Sequence, residues 1–187
     1  MRGLLLAVLP VVLAACDKPT FNPFESPIEG TEGVIRVNYR EFATLPDFDG
    51  EPARAMTLTT EPGTRRIFVS DMNGLLYSIS YDGLTVTPYL DFNDERWGHP
   101  VQARGSEQGV QSFAFHPQFA EAGTPGYGKF YSWLDTSNVD PTPDFRPPSD
   151  ARSHDTVLLE WMARDATSPT YDGDAPRELM RFQQPYG

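Results

Sequence analysis

The sequence predicts an all-β fold assembled as four-stranded β-propeller blades. Three observations carry this. Aromatic residues make up 12% of the chain and there are 18 prolines, a composition of short strands and turns rather than long helices. Short alternating segments follow one another with turn residues between them. The series of strand, Pro/Gly turn, aromatic strand ending in Asp, strand, turn and strand then occurs a second time. A β-sandwich of eight strands carries the same strand signals, and strand order alone leaves that alternative open.

The elements follow in order. Val34 to Tyr39 alternates, with Val34, Arg36 and Asn38 opposite in phase to Ile35, Val37 and Tyr39. Ala53 to Thr59 alternates again, with Met56 and Leu58 on one face. Glu61-Pro62-Gly63-Thr64 is a turn. Arg66 to Ser70 is a strand, and Asp71-Met72-Asn73-Gly74 carries the Asn-Gly signal of a tight hairpin. Leu75 to Tyr81 and Thr85 to Leu90 complete the first unit around the turn at Asp82-Gly83. In the second unit the strands are Val110 to Phe115, Lys129 to Leu134, Thr156 to Met162 and Glu178 to Phe182. Two such units leave their outer faces open, because a blade hides its faces against neighbouring blades.

The chain of 187 residues has a net charge of -11, which argues against a nucleic-acid partner, since phosphate binding needs a basic face. Residues 1–15 read as an export signal: Arg2 is the charged start, and Leu4 to Leu13 is an apolar run too short to span a bilayer. The run ends in Leu13-Ala14-Ala15-Cys16, which resembles a bacterial lipobox. That resemblance implies lipidation of Cys16 and anchoring at the periplasmic side of the cell envelope, with Asp17 hinting at the inner membrane. The alternative is a secretory signal cleaved after Ala15 that leaves a free thiol. Cys16 is the only cysteine, so no disulfide forms within the chain. Residues 16–33, with Pro19, Pro23, Pro27, Gly30 and Gly33, read as a tether, although Phe21 and Phe24 could dock on the domain. The domain itself is expected over residues 34–187.

The chemistry-bearing residues are few. Blade strands alternate in direction, so the loop entering a first strand and the loop joining a second to a third share one face. Glu107 and Gln108 lie in a loop of the first kind. Asp71, Asn73 and the long insertion from Asp135 to His154 lie in loops of the second kind. Asp71 reads mainly as a turn residue, since Asp bonds its own backbone in hairpins. Glu107 reads equally as a rim residue or as a solvated cap. The insertion, with Pro141, Pro143, Pro147 and Pro148, reads as a substrate lid or as a surface loop. His116 before Pro117 suits a packing or turn role, whereas His99 and His154 read as surface residues. No metal-ligand spacing, phosphate loop or nucleophile elbow appears in the sequence.

The block "EQGVQSFAFHPQFAEAG" resembles a motif of the soluble glucose/sorbosone dehydrogenases, the pyrroloquinoline quinone (PQQ)-dependent aldose sugar dehydrogenases. "RRIFVSDMNGLLYSI", "PYLDF" and "RELMRFQQP" follow in that family's order, so the similarity covers about residues 50–187. The resemblance implies a six-bladed propeller of which this chain holds about the first two blades. It implies oxidation of an aldose by hydride transfer to PQQ, with Ca²⁺ polarising the quinone and an electron acceptor downstream. It places Glu107 and Gln108 at the channel mouth as candidate cofactor-binding residues. Val110, Gln111 and Ser112 depart from the family's Leu-Leu-Gly, which changes how closely backbone approaches a ligand. The family's general-base His falls beyond Gly187. The expectation is therefore a truncated chain, itself inactive and without catalytic or metal residues. The alternative is a non-catalytic envelope propeller that binds a glycan or a protein.

Overall fold

The computed structural model describes Gly33 and residues 37–105, 107–148 and 151–185. The export signal, Cys16, Asp17, Phe21 and Phe24 lie outside the described residues. The chain forms two compact units, Met1–Tyr39 and Arg40–Gly187. In the first, residues 37–39 carry no strand, so the strand expected over Val34 to Tyr39 is absent from its described part.

The second unit holds eight strands: β1 Ala55–Thr60, β2 Arg66–Asp71, β3 Leu75–Ser80, β4 Val86–Asp91, β5 Val110–Phe115, β6 Lys129–Thr136, β7 His154–Met162 and β8 Arg177–Gln184. They form two four-stranded antiparallel sheets in the orders β1-β2-β3-β4 and β5-β6-β7-β8. Each sheet is therefore a meander in which every strand pairs with its neighbours in sequence. That is the construction of a propeller blade and not the crossed order of a Greek-key sandwich. Among the described residues the one helical element is a short 3-10 turn, Glu95–Trp97, and none is long and apolar enough to cross a membrane.

Turn chemistry sets the hairpins. Gly74 has φ 119°, and a Cβ there would stand 2.0 Å from Asn93 Nδ2. Only glycine serves at such a position. Asn93 in turn donates to the Asn73 carbonyl at 2.9 Å, tying the β2–β3 turn to the end of β4.

Alternation places the core between the sheets. Phe68, Leu76 and Tyr89 of the first sheet meet Phe113, Phe130, Val157, Leu159 and Trp161 of the second, with Phe92, Trp97 and Phe119 closing the edges. Phe130 stacks on Trp161 with centroids 6.0 Å apart, and Phe68 meets Tyr89 edge to face at 5.1 Å. Each buried aromatic of this kind contributes about 2–3 kcal/mol by area alone. Burial pushes the Tyr89 phenol far above its ordinary range, against the opposing pull of Arg66. Arg66 lies over the Phe68 and Tyr89 rings and donates to the carbonyls of Ser168 and Ala166 at 2.7 and 2.6 Å, so one guanidinium joins the two sheets.

The expected open outer faces are only partly seen. Met56 and Leu58 on β1 and Met162 and Met180 on the second sheet are exposed. Val69, Tyr77 and Ile79, which alternate with the core-facing positions of the first sheet, are nevertheless buried.

The described part of the insertion between Thr136 and His154 is a surface loop tied to the second sheet. Phe145 bridges Phe182 in parallel, and the Phe145 amide donates to the Arg181 carbonyl at 3.2 Å. The Gln183 amide donates back to the Phe145 carbonyl at 3.0 Å, and Asp144 accepts from the Arg181 amide at 2.8 Å. The segment lies along the outer edge of β8 and pairs groups that an edge strand would leave open.

Candidate functional site

The second sheet positions a polar cleft on the face turned away from the first. Trp133, Asp135, His154, Thr156 and Gln184 alternate with the core-facing Phe130, Leu134, Val157 and Leu159. Register brings them together, because Asp135 pairs with Thr156 and His154 with Gln184. The chain entering β5 closes the other wall with Arg104, Glu107, Gln108 and Gln111. The resulting cleft has a volume of about 510 Å³.

Asp135 is the hub. Its Oδ2 accepts from the Gly109 amide at 3.1 Å and from Gln111 Nε2 at 2.9 Å. Its Oδ1 accepts from Thr156 Oγ1 at 2.6 Å and lies 3.5 Å from His154 Nε2. Thr156 in turn accepts from Gln184 Nε2 at 3.1 Å. The Asp135 side chain is 7% exposed, so donors rather than water surround it.

A second chain of contacts reaches the same histidine. Gln102 Nε2 donates to Gln108 Oε1 at 3.1 Å, which turns the Gln108 amide nitrogen toward His154 Nδ1 at 3.4 Å. Ser153 Oγ lies 3.2 Å from the same ring nitrogen, while His154 Nε2 faces Asp135. His154 is 5% exposed, which corrects the surface assignment from sequence. His99 is corrected too: it is half-buried beside Glu178, with Nδ1 3.6 Å from the carboxylate. Burial lowers its pKa, and the opposing attraction of Glu178 is offset by the neighbouring Arg181. His116 does serve the turn, accepting from the Gln118 amide at 3.1 Å.

The wall that carries Glu107 and Gln108 is pinned to both sheets. The Val110 amide donates to the Met72 carbonyl at 3.1 Å, and the Asp135 amide to the Gly109 carbonyl at 3.0 Å. Arg54 Nη2 donates to the Gly105 carbonyl at 2.8 Å. Gly109 has φ 139°, and a Cβ there would stand 2.1 Å from the Met72 carbonyl oxygen. Glycine is therefore required where the two sheets and the cleft wall meet. Asp71, the first-sheet counterpart of Asp135, accepts from the Arg54 amide at 3.0 Å and the Asn73 amide at 2.9 Å, the turn role expected of it.

The lining thus divides. Gln108, Gln111, Asp135, His154, Thr156 and Gln184 are bonded to one another or to backbone. The side chains of Arg104, Glu107 and Trp133 line the cleft with no hydrogen-bond partner among the described residues. Glu107 and Gln108, singled out from sequence as candidate cofactor-binding residues, lie in this lining, whereas nothing in the sequence marked Arg104, Trp133, Thr156 or Gln184 as lining it.

The groups implied by the motif resemblance were compared with this lining. No cluster of three or more His, Cys, Asp or Glu side chains among the described residues is placed to hold a metal, so these residues do not form a Ca²⁺ cage. PQQ is a tricarboxylate, and the lining sets a single guanidinium, Arg104, against the carboxylates of Glu107 and Asp135. That charge pattern does not fit the quinone either.

No protein-family model and no curated protein matches the chain. Among solved structures it is similar to one described as "Crystal structure of glucose dehydrogenase", at 14% identity and a TM-score of 0.47. That likeness covers 69% of this chain and 30% of the other. A second, described as "glucose dehydrogenase", is similar at 13% identity with a TM-score of 0.47, covering 69% of this chain and 32% of the other. The chain thus spans about a third of the length of these structures.

Proposed function

We propose that this chain is the N-terminal part of a PQQ-dependent aldose sugar dehydrogenase and contributes the sugar-facing rim of its site. The observation that carries the reading is the placement of Glu107-Gln108-Gly109, the start of the resembling motif, as one wall of a preorganised polar cleft. The rim's task is binding and orientation. Its donors and acceptors are fixed by Asp135 and His154 before a ligand arrives, which lowers the entropy cost of holding one. The quinone and Ca²⁺, which supply hydride acceptance and polarisation, need ligands other than the described residues. Both ring nitrogens of His154 are engaged, so His154 is not the proton-accepting base in this reading.

The second reading is an envelope blade protein that binds a glycan without oxidising it. The block Val110-Gln111-Ser112, which departs from the resembling motif's Leu-Leu-Gly, favours it. Dye-linked oxidation of an aldose panel by the whole protein, with and without PQQ and Ca²⁺, separates the two. Turnover that requires both additions supports the dehydrogenase. Sugar binding without turnover supports the second reading.

Lipid anchoring through Cys16 at the periplasmic side of the envelope is part of the same proposal. The protein is expected to partition into detergent, and Cys16→Ala to release it into the aqueous phase. An unmodified thiol at Cys16 in the mature protein would contradict the anchor.

A further inference from the structure

We propose that a monovalent metal cation, Na⁺ or K⁺, binds between Asp155 and Gln183 and ties the insertion between Thr136 and His154 to the second sheet. The inference does not rest on the proposed function, because the site is not part of the polar cleft. Asp155 and Gln183 alternate along β7 and β8 with the cleft-lining His154, Thr156 and Gln184, so they occupy the other face of the sheet.

Two buried oxygens on that face lack a partner. Asp155 and Gln183 are register partners, which sets their side chains next to each other. Asp155 is 0% exposed and Gln183 3%. Asp155 Oδ2 accepts from the Asp140 amide at 2.8 Å and from Arg181 Nη1 at 3.0 Å. Asp155 Oδ1 has no hydrogen-bond partner among the described residues. Gln183 Nε2 donates to the Ala151 carbonyl at 3.0 Å, which fixes the orientation of the amide. Gln183 Oε1 likewise has no partner among the described residues. Both groups are acceptors, so neither satisfies the other, and leaving both bare in the interior is costly.

Charge decides what fills the gap. Arg181 gives Nε and Nη2 to Glu178 at 2.8 and 2.6 Å and Nη1 to Asp155. One guanidinium thus serves two carboxylates, and the cluster is one positive charge short. Asp140 and Asp144 add negative potential from the insertion, opposed by Arg152, which is bonded to the Asp140 carbonyl. His99, beside Glu178, adds no charge at neutral pH because burial lowers its pKa. A carboxylate oxygen beside an amide oxygen is a hard donor pair of the kind that holds an alkali cation. Among the described residues no three carboxylates, imidazoles or thiols converge to hold a metal, so a divalent ion lacks the anionic ligands it needs. The Asp140 amide, the Phe145 backbone and the Ala151 carbonyl all reach Asp155, Arg181 or Gln183, so a cation here holds the insertion against the sheet.

The test is thermal melting of the whole chain in choline chloride, with NaCl or KCl substituted at constant ionic strength. The midpoint is expected to rise by at least about 3 °C at saturation with Na⁺, K⁺ or both, and the salt that responds identifies the ion. Gln183→Met removes one of the two oxygens and should abolish the rise, whatever its midpoint in choline. Gln183→Lys carries its own ammonium toward Asp155. It should melt above Gln183→Met in choline and respond to neither ion. Equal midpoints of the unmutated chain in the three salts mean that a water bridges the two oxygens, and they overturn the inference. A rise that persists in Gln183→Met or Gln183→Lys overturns it as well, and so does a response to Ca²⁺ alone.

Discussion

The Asp135 carboxylate accepts the Gly109 amide at 3.1 Å, and through that bond the second strand of one sheet holds the entrance to its first. Asp71 does the same for Arg54 in the other sheet at 3.0 Å. The repeated unit is thus a bond between an aspartate in the last two residues of a second strand and the amide just before a first strand. In the second sheet the same carboxylate also holds Gln111 and Thr156. Asp135→Ala strands several buried donors at once and is expected to destabilise the protein by about 2–4 kcal/mol. Asp135→Asn, which keeps one acceptor oxygen, should cost less. Urea denaturation of the two variants checks the order.

Gly109 is the most constrained position of the cleft wall. Its φ of 139° and the 2.1 Å approach of the Met72 carbonyl to an added Cβ leave no room for a side chain. Gly109→Ala is expected to cost at least about 3 kcal/mol, combining backbone strain with the displaced carbonyl. Gly105→Ala is the control: its φ is 60°, but nothing lies within 4 Å of the added Cβ. A smaller loss at Gly109 than at Gly105 in thermal melts would contradict the description of this wall.

Arg181 is 4% exposed and serves Asp155 at 3.0 Å, Glu178 at 2.6 Å and the Asn138 carbonyl. Asp155 is fully buried, and its Oδ1 has no partner among the described residues. Arg181→Met leaves that charge without its cation, and a loss of about 3–5 kcal/mol is expected. The double variant Arg181→Met, Asp155→Leu should recover part of it. Denaturant unfolding that shifts by under about 1 kcal/mol in the single variant would contradict this.

His99 gives the pH dependence its sign. Burial holds its pKa below the ordinary 6.5, so the unfolded chain takes up the proton first. The stability linked to His99 is full above about pH 6.5 and declines as pH falls through its lowered folded pKa. Thermal midpoints should therefore drop between pH 7 and pH 5.5, and His99→Gln should flatten that drop. Glu160, whose burial is outweighed by Arg177, Tyr131 and Lys129 so that its pKa is lowered, acts only at more acidic pH.

The strands were legible in the sequence because alternation and turn residues are local signals. Val110 to Phe115 matches to the residue, and β3 to one residue at its end. The ends moved where distant groups intervened. β1 starts at Ala55 rather than Ala53, where the Arg54 amide is taken by Asp71. β6 and β7 extend to Thr136 and His154 because Thr136 pairs with Asp155 and β8 continues alongside to Gln184. Glu107 and Gln108 were found through a motif. His154 was missed because Gln108, its partner, is 46 residues away and nothing local marks either one. Of the two readings of the insertion, the surface loop fits its exposed residues, and the bridge from Phe145 to Phe182 leaves no alternating pattern around it.

The central claim is that Arg104, Glu107, Gln108 and Gln111 together with the end of β6 form the ligand-binding wall. Amide hydrogen exchange of the chain with and without a neutral pyranose tests it most directly. The account expects slowed exchange in peptides covering residues 104–111 and 131–136, with the first sheet unchanged. Slowed exchange confined to other peptides, with these two unaffected, would contradict it.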